Sequence, residues 1–336
     1  MNASLIIPIY NAEKTLKLCF DSLLEQNDLP AQIIIVYCTS SDKSLEIILN
    51  YKDKLKFDIY EIPLSSPARA RNTGIKFANF DLIFFIDSDC IVPKDYFKKL
   101  HQEIINKQIK VAGCKIYGFN PVKIIEIYLS EFGLALQDND TIFTELKLFN
   151  SFLHTASFVI NKNIIENIGY FNENLFTGED HDFCYRILSK NIPIHFFNSI
   201  FIFHKFNNNF LKFIKQTFSF AKIHSFLIKK FKGNFTILNL HKKTFYIKSG
   251  IPFLINLNNP FLKFCFLILL LLFSKWFIIL FLLWFLKLYL SLTRKFWKYK
   301  QNYFKIFILL IIHLIYNATS FAGDFYGIFI YKKFLK

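Results

Sequence analysis

From residue 205 onward the chain holds a single carboxylate side chain, Asp324, against 21 Lys and Arg, whereas residues 1–204 carry 24 Asp and Glu against 20 Lys and Arg. That imbalance excludes one common partner for both halves. A basic half suits nucleic acid or an anionic membrane. Here the lysines flank long apolar runs, so the membrane is the expected partner and nucleic acid is not. Cysteine is sparse too: Cys19, Cys38, Cys90, Cys114, Cys184 and Cys265 form no C-x-x-C pair and no zinc spacing, and read as reduced core residues of an intracellular protein. No glycine lies between Pro8 and Glu13, which argues against the Gly-rich phosphate loop expected of a nucleotidyltransferase. No signal peptide precedes a first strand near Ser4, so the soluble part is expected in the cytosol, with membrane insertion directed by C-terminal segments.

What is present begins as alternating strands and helices. Ser4 to Ile9, Gln32 to Val36, Phe57 to Ile62 and Leu82 to Ile86 are apolar runs, separated by stretches with helical spacing such as Leu16, Cys19, Phe20, Leu23. Strands apolar throughout predict a mainly parallel sheet covered on both faces. In such sheets ligands sit beyond the carboxyl ends of the strands, where Asn11, Ser40 to Asp42 and Asp87 to Asp89 fall.

Asp87-Ser88-Asp89 is the sharpest of these strand ends. Alternation in an extended chain puts Asp87 and Asp89 on one side, two hard oxygen ligands suited to magnesium or manganese shared with a phosphate. The competing reading is a pair of caps for a helix beginning at Pro93. A second acidic landmark is Thr177-Gly178-Glu179-Asp180-His181-Asp182-Phe183-Cys184-Tyr185-Arg186, which places carboxylates in the first turn of a helix, at its positive end. An acidic cap is the alternative there. His181 and Asp182 read as exposed or capping, with Arg186 able to pair with Asp182 one turn away. Glu126, Glu131, Asp138, Asp140 and Glu145 read as solvated charges.

Ile6-Ile7-Pro8-Ile9-Tyr10-Asn11, then Ala70-Arg71-Asn72-x-Gly74, then Asp87-Ser88-Asp89 and Glu179-Asp180 resemble, in order and spacing, the family 2 glycosyltransferases over about residues 4 to 225. The resemblance implies an α/β GT-A nucleotide-diphospho-sugar transferase fold, followed by C-terminal amphipathic and transmembrane helices. It also implies an inverting, metal-dependent transfer from a nucleotide-sugar donor to a lipid-linked or envelope glycan acceptor at the cytosolic membrane face. Pro8, Tyr10, Asn11, Tyr37, Asp42, Arg71, Asn72 and Asp87 are then the expected donor-binding residues, with Arg71 holding base or diphosphate oxygens. Asp87, Asp89 and His204 are the expected ligands of a divalent magnesium or manganese ion. Asp180, with Glu179 beside it, is the expected general base. One stretch departs from the family: an acidic residue and Gly-Ser-x-Asp usually follow the second strand, where this chain reads Val36-Tyr37-Cys38-Thr39-Ser40-Ser41-Asp42. Tyr37 stacking on the base is the expected substitute. A non-catalytic membrane-bound adaptor that has lost donor binding is the alternative this departure leaves open.

Residues 1–204 are thus expected as the transferase domain, 205–250 as a basic amphipathic interfacial segment, and 251–336 as a membrane region. In the segment, Phe213, Phe218, Phe220, Phe226 and Phe231 alternate with lysines. Phe261 to Leu292 is expected to form a hairpin reversing near Ser274-Lys275, because a single span would put the basic stretch 294–300 opposite the cytosolic domain. A further apolar helix is expected over about 304–322, ended by Gly323-Asp324-Phe325-Tyr326-Gly327.

Overall fold

The computed structural model describes every residue except 134–137, 234, 241–242, 250, 274–276, 300–302 and 332–336. The chain divides into two compact units, Met1–Asn120 with Leu134–Phe206, and Pro121–Gly133 with Asn207–Lys336. The first unit differs from the expected 1–204 domain in two respects: residues 121–133 leave it for the second unit, and it runs to Phe206.

The first unit opens with β1 (Ser4–Ile9), α1 (Leu16–Leu24), β2 (Gln32–Cys38), α2 (Ser44–Asn50), β3 (Asp58–Ile62), α3 (Pro67–Phe77) and β4 (Leu82–Ile86). After β5 (Cys90–Ile91), α4 (Tyr96–Asn106) and β6 (Val111–Gly118) comes α5 (Ile124–Phe132), which belongs to the second unit. The first unit closes with β7 (Thr141–Phe143), β8 (Ser157–Asn161), α6 (Lys162–Ile168), α7 (Glu179–Ser189) and β9 (Ile194–His204).

The sheet order is β3-β2-β1-β4-β8-β6-β9-β5, with β7 also on β9. Pairing is parallel from β3 through β4. It turns antiparallel where β8 joins β4, with Ile86 opposite Ser157. Alternate residues of the buried strands feed two cores: Ile33, Ile35, Tyr37, Phe84 and Ile86 on one face, Ile34, Val36, Cys38, Ile83 and Phe85 on the other. Helix α3 starts on a Ser66 cap with Pro67 in its first turn and lies so close to β1 that a Cβ on Gly74 would sit 2.4 Å from Ile6 Cγ2. Glycine in the Ala70-Arg71-Asn72-x-Gly74 motif is therefore set by helix–strand packing.

In the second unit, α5 packs in a core with residues such as Phe213, Phe296, Leu309 and Leu310. Glu126 and Glu131, expected in solvent, are each 7% exposed. Glu126 Oε2 accepts from the backbone N of Lys123 at 3.1 Å, and Glu131 Oε1 accepts from the Tyr299 hydroxyl at 2.6 Å. These hydrogen bonds compensate the burial. Residues 205–250 are not one amphipathic segment. They form α8 (Phe210–Ala221), α9 (His224–Lys232) and strands β10 (Phe235–Leu240) and β11 (Lys243–Lys248), which make a three-stranded sheet with β12 (Phe253–Asn256) in the order β11-β10-β12. Strands β10 and β11 pair antiparallel from Phe235 opposite Lys248 to Leu240 opposite Lys243.

Helices α10 (Pro260–Phe273) and α11 (Phe277–Phe296) pack through Phe264, whose ring centroid lies 5.8 Å from Phe281 and 6.2 Å from Trp284. The expected reversal at Ser274-Lys275 lies outside the described residues. Helix α10 has 14 residues, about 21 Å of rise against a hydrocarbon layer of about 30 Å. Among the described residues, α12 (Tyr303–Ile330) is the one helix long and apolar enough to cross a membrane. It does not end at Gly323-Asp324-Phe325-Tyr326-Gly327 as expected. The two glycines face α8 and its C-terminal cap, where a Cβ on Gly323 would lie 2.7 Å from Phe218 O and one on Gly327 2.3 Å from Lys222 O. Asp324 in the same turn pairs with His224 Nδ1. The cluster is a helix-packing surface, not a stop signal.

Candidate active site

The loops after β1 and β2 are stitched to each other. Asn11, at φ 48°, accepts from Ser41 N through Oδ1 at 3.0 Å, while its own N donates to Ser40 Oγ at 3.0 Å. Asp42 Oδ2 accepts from Glu13 N at 2.9 Å, and Oδ1 accepts from Ser44 N at 3.0 Å. Burial works toward protonating Asp42, but hydrogen bonds from Ser44 and the Glu13 backbone outweigh it and hold the group below the usual carboxylate range. Asn11 and Asp42, expected to touch a nucleotide, thus spend these atoms holding the rim. Pro8, next to last in β1, lies opposite Val36, beyond the reach of the β4 pairing. Tyr10 is 49% exposed.

Tyr37 does not offer its ring for stacking. It is 4% exposed inside the α1-side core, and its hydroxyl accepts from Ser40 N at 3.1 Å. The period-2 register decides this, because Tyr37 shares a face with Ile33 and Ile35.

Arg71 and Asn72 are likewise buried, at 4% and 3% exposure. Asn72 Nδ2 donates to Phe171 O and Glu173 Oε1, both at 2.9 Å, and Asn72 Oδ1 accepts from Phe171 N at 3.0 Å. It therefore pins the turn before α7 instead of facing a ligand. Arg71 Nη2 donates to Asp87 Oδ1 and Nη1 to Glu179 Oε1, both at 2.8 Å. Burial opposes the guanidinium charge, yet Asp87 and Glu179 more than offset it and keep the group fully protonated. Arg71 thereby bridges the two acidic motifs.

Asp87 to Cys90 is a turn closed by Cys90 N donating to Asp87 O at 3.0 Å, so strict alternation does not apply to the two carboxylates. Nor do they cap α4, which begins at Tyr96. Asp87 carries the Arg71 bridge. Asp89 instead meets His204, because β5 pairs antiparallel with β9 and sets Cys90 opposite His204. His204 Nε2 lies 3.2 Å from Asp89 Oδ1, and ligand atoms of Asp89, Cys90 and His204 all fall within 4.8 Å of one another. Burial pushes the Cys90 thiol well above its ordinary pKa, which leaves it a neutral core group.

Helix α7 starts from Gly178 in a left-handed conformation (φ 72°) and carries Glu179, Asp180 and Asp182 in its first turn. Burial first, then the neighbouring Asp180 charge, push the Glu179 carboxyl upward despite Arg71. Asp180 goes the other way: burial favours its protonation, but His181 and His154 outweigh burial and hold it well below the carboxylate range. His181 is not at the surface. Its side chain is 15% exposed and its ring stacks on Phe152 at 3.7 Å. The Asp182–Arg186 pair implied by helical spacing is present, with Nε 3.0 Å from Oδ2. His154 is the residue sequence reasoning missed, since nothing in Phe152-Leu153-His154-Thr155 marks it before α7 is packed beside it.

A sheet of this order, with acidic residues gathered at the ends of its parallel strands, defines an α/β transferase fold of the GT-A type. The crystal structure of S. aureus TarS 1-349 in complex with UDP-GlcNAc matches it with a TM-score of 0.54 at 20% identity, over 69% of this chain and 68% of that one. Residues 4–169 match the model of "Glycosyl transferase family 2" and belong to that family. Among curated relatives, the uncharacterized glycosyltransferase EpsJ of Bacillus subtilis is 36% identical over 115 residues, 34% of this chain and 33% of EpsJ. The poly(ribitol-phosphate) beta-N-acetylglucosaminyltransferase TarS of Staphylococcus aureus is 27% identical over 199 residues, 49% of this chain and 34% of TarS. The chain thus spans about a third of the length of these two relatives.

Proposed function

We propose that this protein transfers a sugar from a nucleoside-diphosphate donor to a hydroxyl of a lipid-linked or cell-envelope glycan, with inversion at the anomeric carbon. The observation that carries the reading is the Arg71 bridge, which ties the acidic end of β4 to the acidic start of α7 through two 2.8 Å bonds. On this reading a donor diphosphate lies on the β4 side of the bridge and an acceptor hydroxyl on the α7 side. The named activity of TarS and the UDP-GlcNAc in its structure make a UDP-sugar the first donor to try.

The residues present fit a divalent ion at Asp89 and His204. Two ligands in neighbouring positions of an octahedral ion with bonds of about 2.1 Å stand roughly 3 Å apart, and these atoms are separated by 3.2 Å. A carboxylate with an imidazole favours manganese over an all-oxygen magnesium site. Bound there, the metal would neutralise charge building on the leaving diphosphate. Asp89 and His204 would hold it, with Asp87 kept on Arg71 and Asp180 as the basic group on the acceptor side.

Lysines without compensating carboxylates, the exposed apolar residues of α11 and the length of α12 support attachment to an anionic membrane, with the transferase unit on its cytosolic side. The test is calorimetric titration of UDP into the purified chain with manganese, for the parent and for Asp89→Asn. Binding by the parent and its loss in the variant are expected. Absence of any nucleotide binding to the parent contradicts the reading.

A further inference from the structure

The small sheet β11-β10-β12 of the second unit is apolar on both faces. Ile237 of β10 lies opposite Tyr246 on β11 and Leu254 on β12, so these three share one face. That face is covered within the unit. Ile237 and Leu254 are buried, α9 packs on β10 and β12, and Lys232, the last residue of α9, holds Nζ 5.4 Å from the Tyr246 ring centroid.

Where a sheet packs on one side only, its outward side is ordinarily polar. Here the outward side carries Thr236 with its partners Ile247 and Phe253, then Phe245 and Ile255, both opposite Leu238. Phe245 and Ile247 are 48% and 46% exposed, while Phe253 and Ile255 are half-buried. Neighbouring apolar side chains left open in this way mark an interaction surface, unlike scattered single ones. Thr236 is the polar member, and its hydroxyl is already engaged. Ser249 Oγ lies 2.7 Å from Thr236 Oγ1 and donates to Ile251 O at 2.9 Å. Removing water from this face therefore strands neither hydroxyl.

We propose that the outward face bearing Phe245 and Ile247 seats on the surface of an anionic bilayer, as an anchoring surface separate from α10, α11 and α12; this rests on the membrane-attachment reading and names where the second unit meets headgroups. Charge selects the occupant. Residues 205–323 contain no carboxylate side chain, while α9 and β11 contribute Lys229, Lys230, Lys232, Lys243 and Lys248. A second copy would set lysines against lysines, and lysine at both ends of the edge strand β11 opposes its pairing with another strand. Anionic headgroups attract the same charges, and aromatic and branched apolar side chains suit the layer just beneath them.

Nitroxide labels on the full chain test the proposal. Cys265, the cysteine that is not buried, is first replaced by serine, and single labels are placed through Phe245→Cys, Ile247→Cys and, as an exposed site of the first unit, Lys52→Cys. The two sheet positions are exposed, and each serves as a check on the other. Each chain is reconstituted in phosphatidylcholine vesicles with and without phosphatidylglycerol, and collisions of the label with oxygen and with a water-soluble nickel chelate are measured. With phosphatidylglycerol, the labels at 245 and 247 are expected to meet oxygen more often, and nickel severalfold less often, than the label at 52. Without it, nickel access at both sheet positions is expected to rise toward that at 52. Nickel access equal to that at 52 in the anionic vesicles overturns the proposal, and protection that does not depend on phosphatidylglycerol overturns the choice of an anionic surface. Protection from both reagents means a protein covers the face and also overturns it; dipolar broadening removed by dilution with unlabelled chain identifies that protein as a second copy. A parent chain that fails to float with either vesicle overturns the membrane-attachment reading itself.

Discussion

Arg71 Nη1 reaches Glu179 Oε1 at 2.8 Å across 108 positions of sequence, and the same guanidinium holds Asp87. One buried cation thereby sets the relation between the two acidic motifs.

Removing that cation strands two carboxylates. Arg71→Met is expected to cost about 3 kcal/mol or more, because breaking a buried pair leaves uncompensated charge behind. Arg71→Lys, with one point charge for two partners, falls between parent and Arg71→Met. Denaturant titration of the purified chain checks the order.

The stitched loops respond to acid. Asp42 titrates below the usual carboxylate range in the folded chain, so the unfolded chain binds its proton first as pH falls. Its charge-dependent contribution is fully present above about pH 4 and is lost as pH drops through the folded value. The stability difference between parent and Asp42→Asn is therefore expected to stay constant from neutral pH down to mild acid and to shrink below about pH 4. Urea midpoints measured across that range test it.

Helix α12 packs through its glycines. A methyl on Gly327 meets Lys222 O, which belongs to backbone and cannot swing away. Gly327→Ala is expected to destabilise the second unit by about 1–3 kcal/mol. Phe329→Ala, at a position 69% exposed, is the matched control and should change little. Thermal unfolding in detergent separates them.

Manganese should bind with both ligands or poorly. Asp89→Asn and His204→Gln are each expected to weaken manganese affinity strongly, while Cys90→Ser, which alters a neutral buried thiol, should not. Manganese paramagnetic resonance titration reads this without substrate.

The sequence carried the strand ends and the acidic helix start, because apolar runs and carboxylates beside them are local signals. Pairings across the sheet were not local. His204 meets Asp89 only through the two-residue strand β5, and the bonds of Arg71 and Asn72 depend on how α3 meets the turn before α7. Tyr37 illustrates a different limit: the departure from the family pattern was visible, but only the register shows the ring turned inward. In the second unit, residues 235–240 and 243–248 pair as antiparallel strands that no local signal announced, and glycines that look like a helix stop proved to be a packing face.

Sugar transfer at the acidic motifs joined by Arg71 is tested most directly by supplying UDP-, GDP- and dTDP-linked sugars with manganese to the parent and to Asp180→Asn, side by side. The account predicts turnover of at least one donor by the parent, with inversion at the anomeric carbon, and a loss of several orders of magnitude in Asp180→Asn. Equal turnover by the two proteins, or none by the parent, would contradict it.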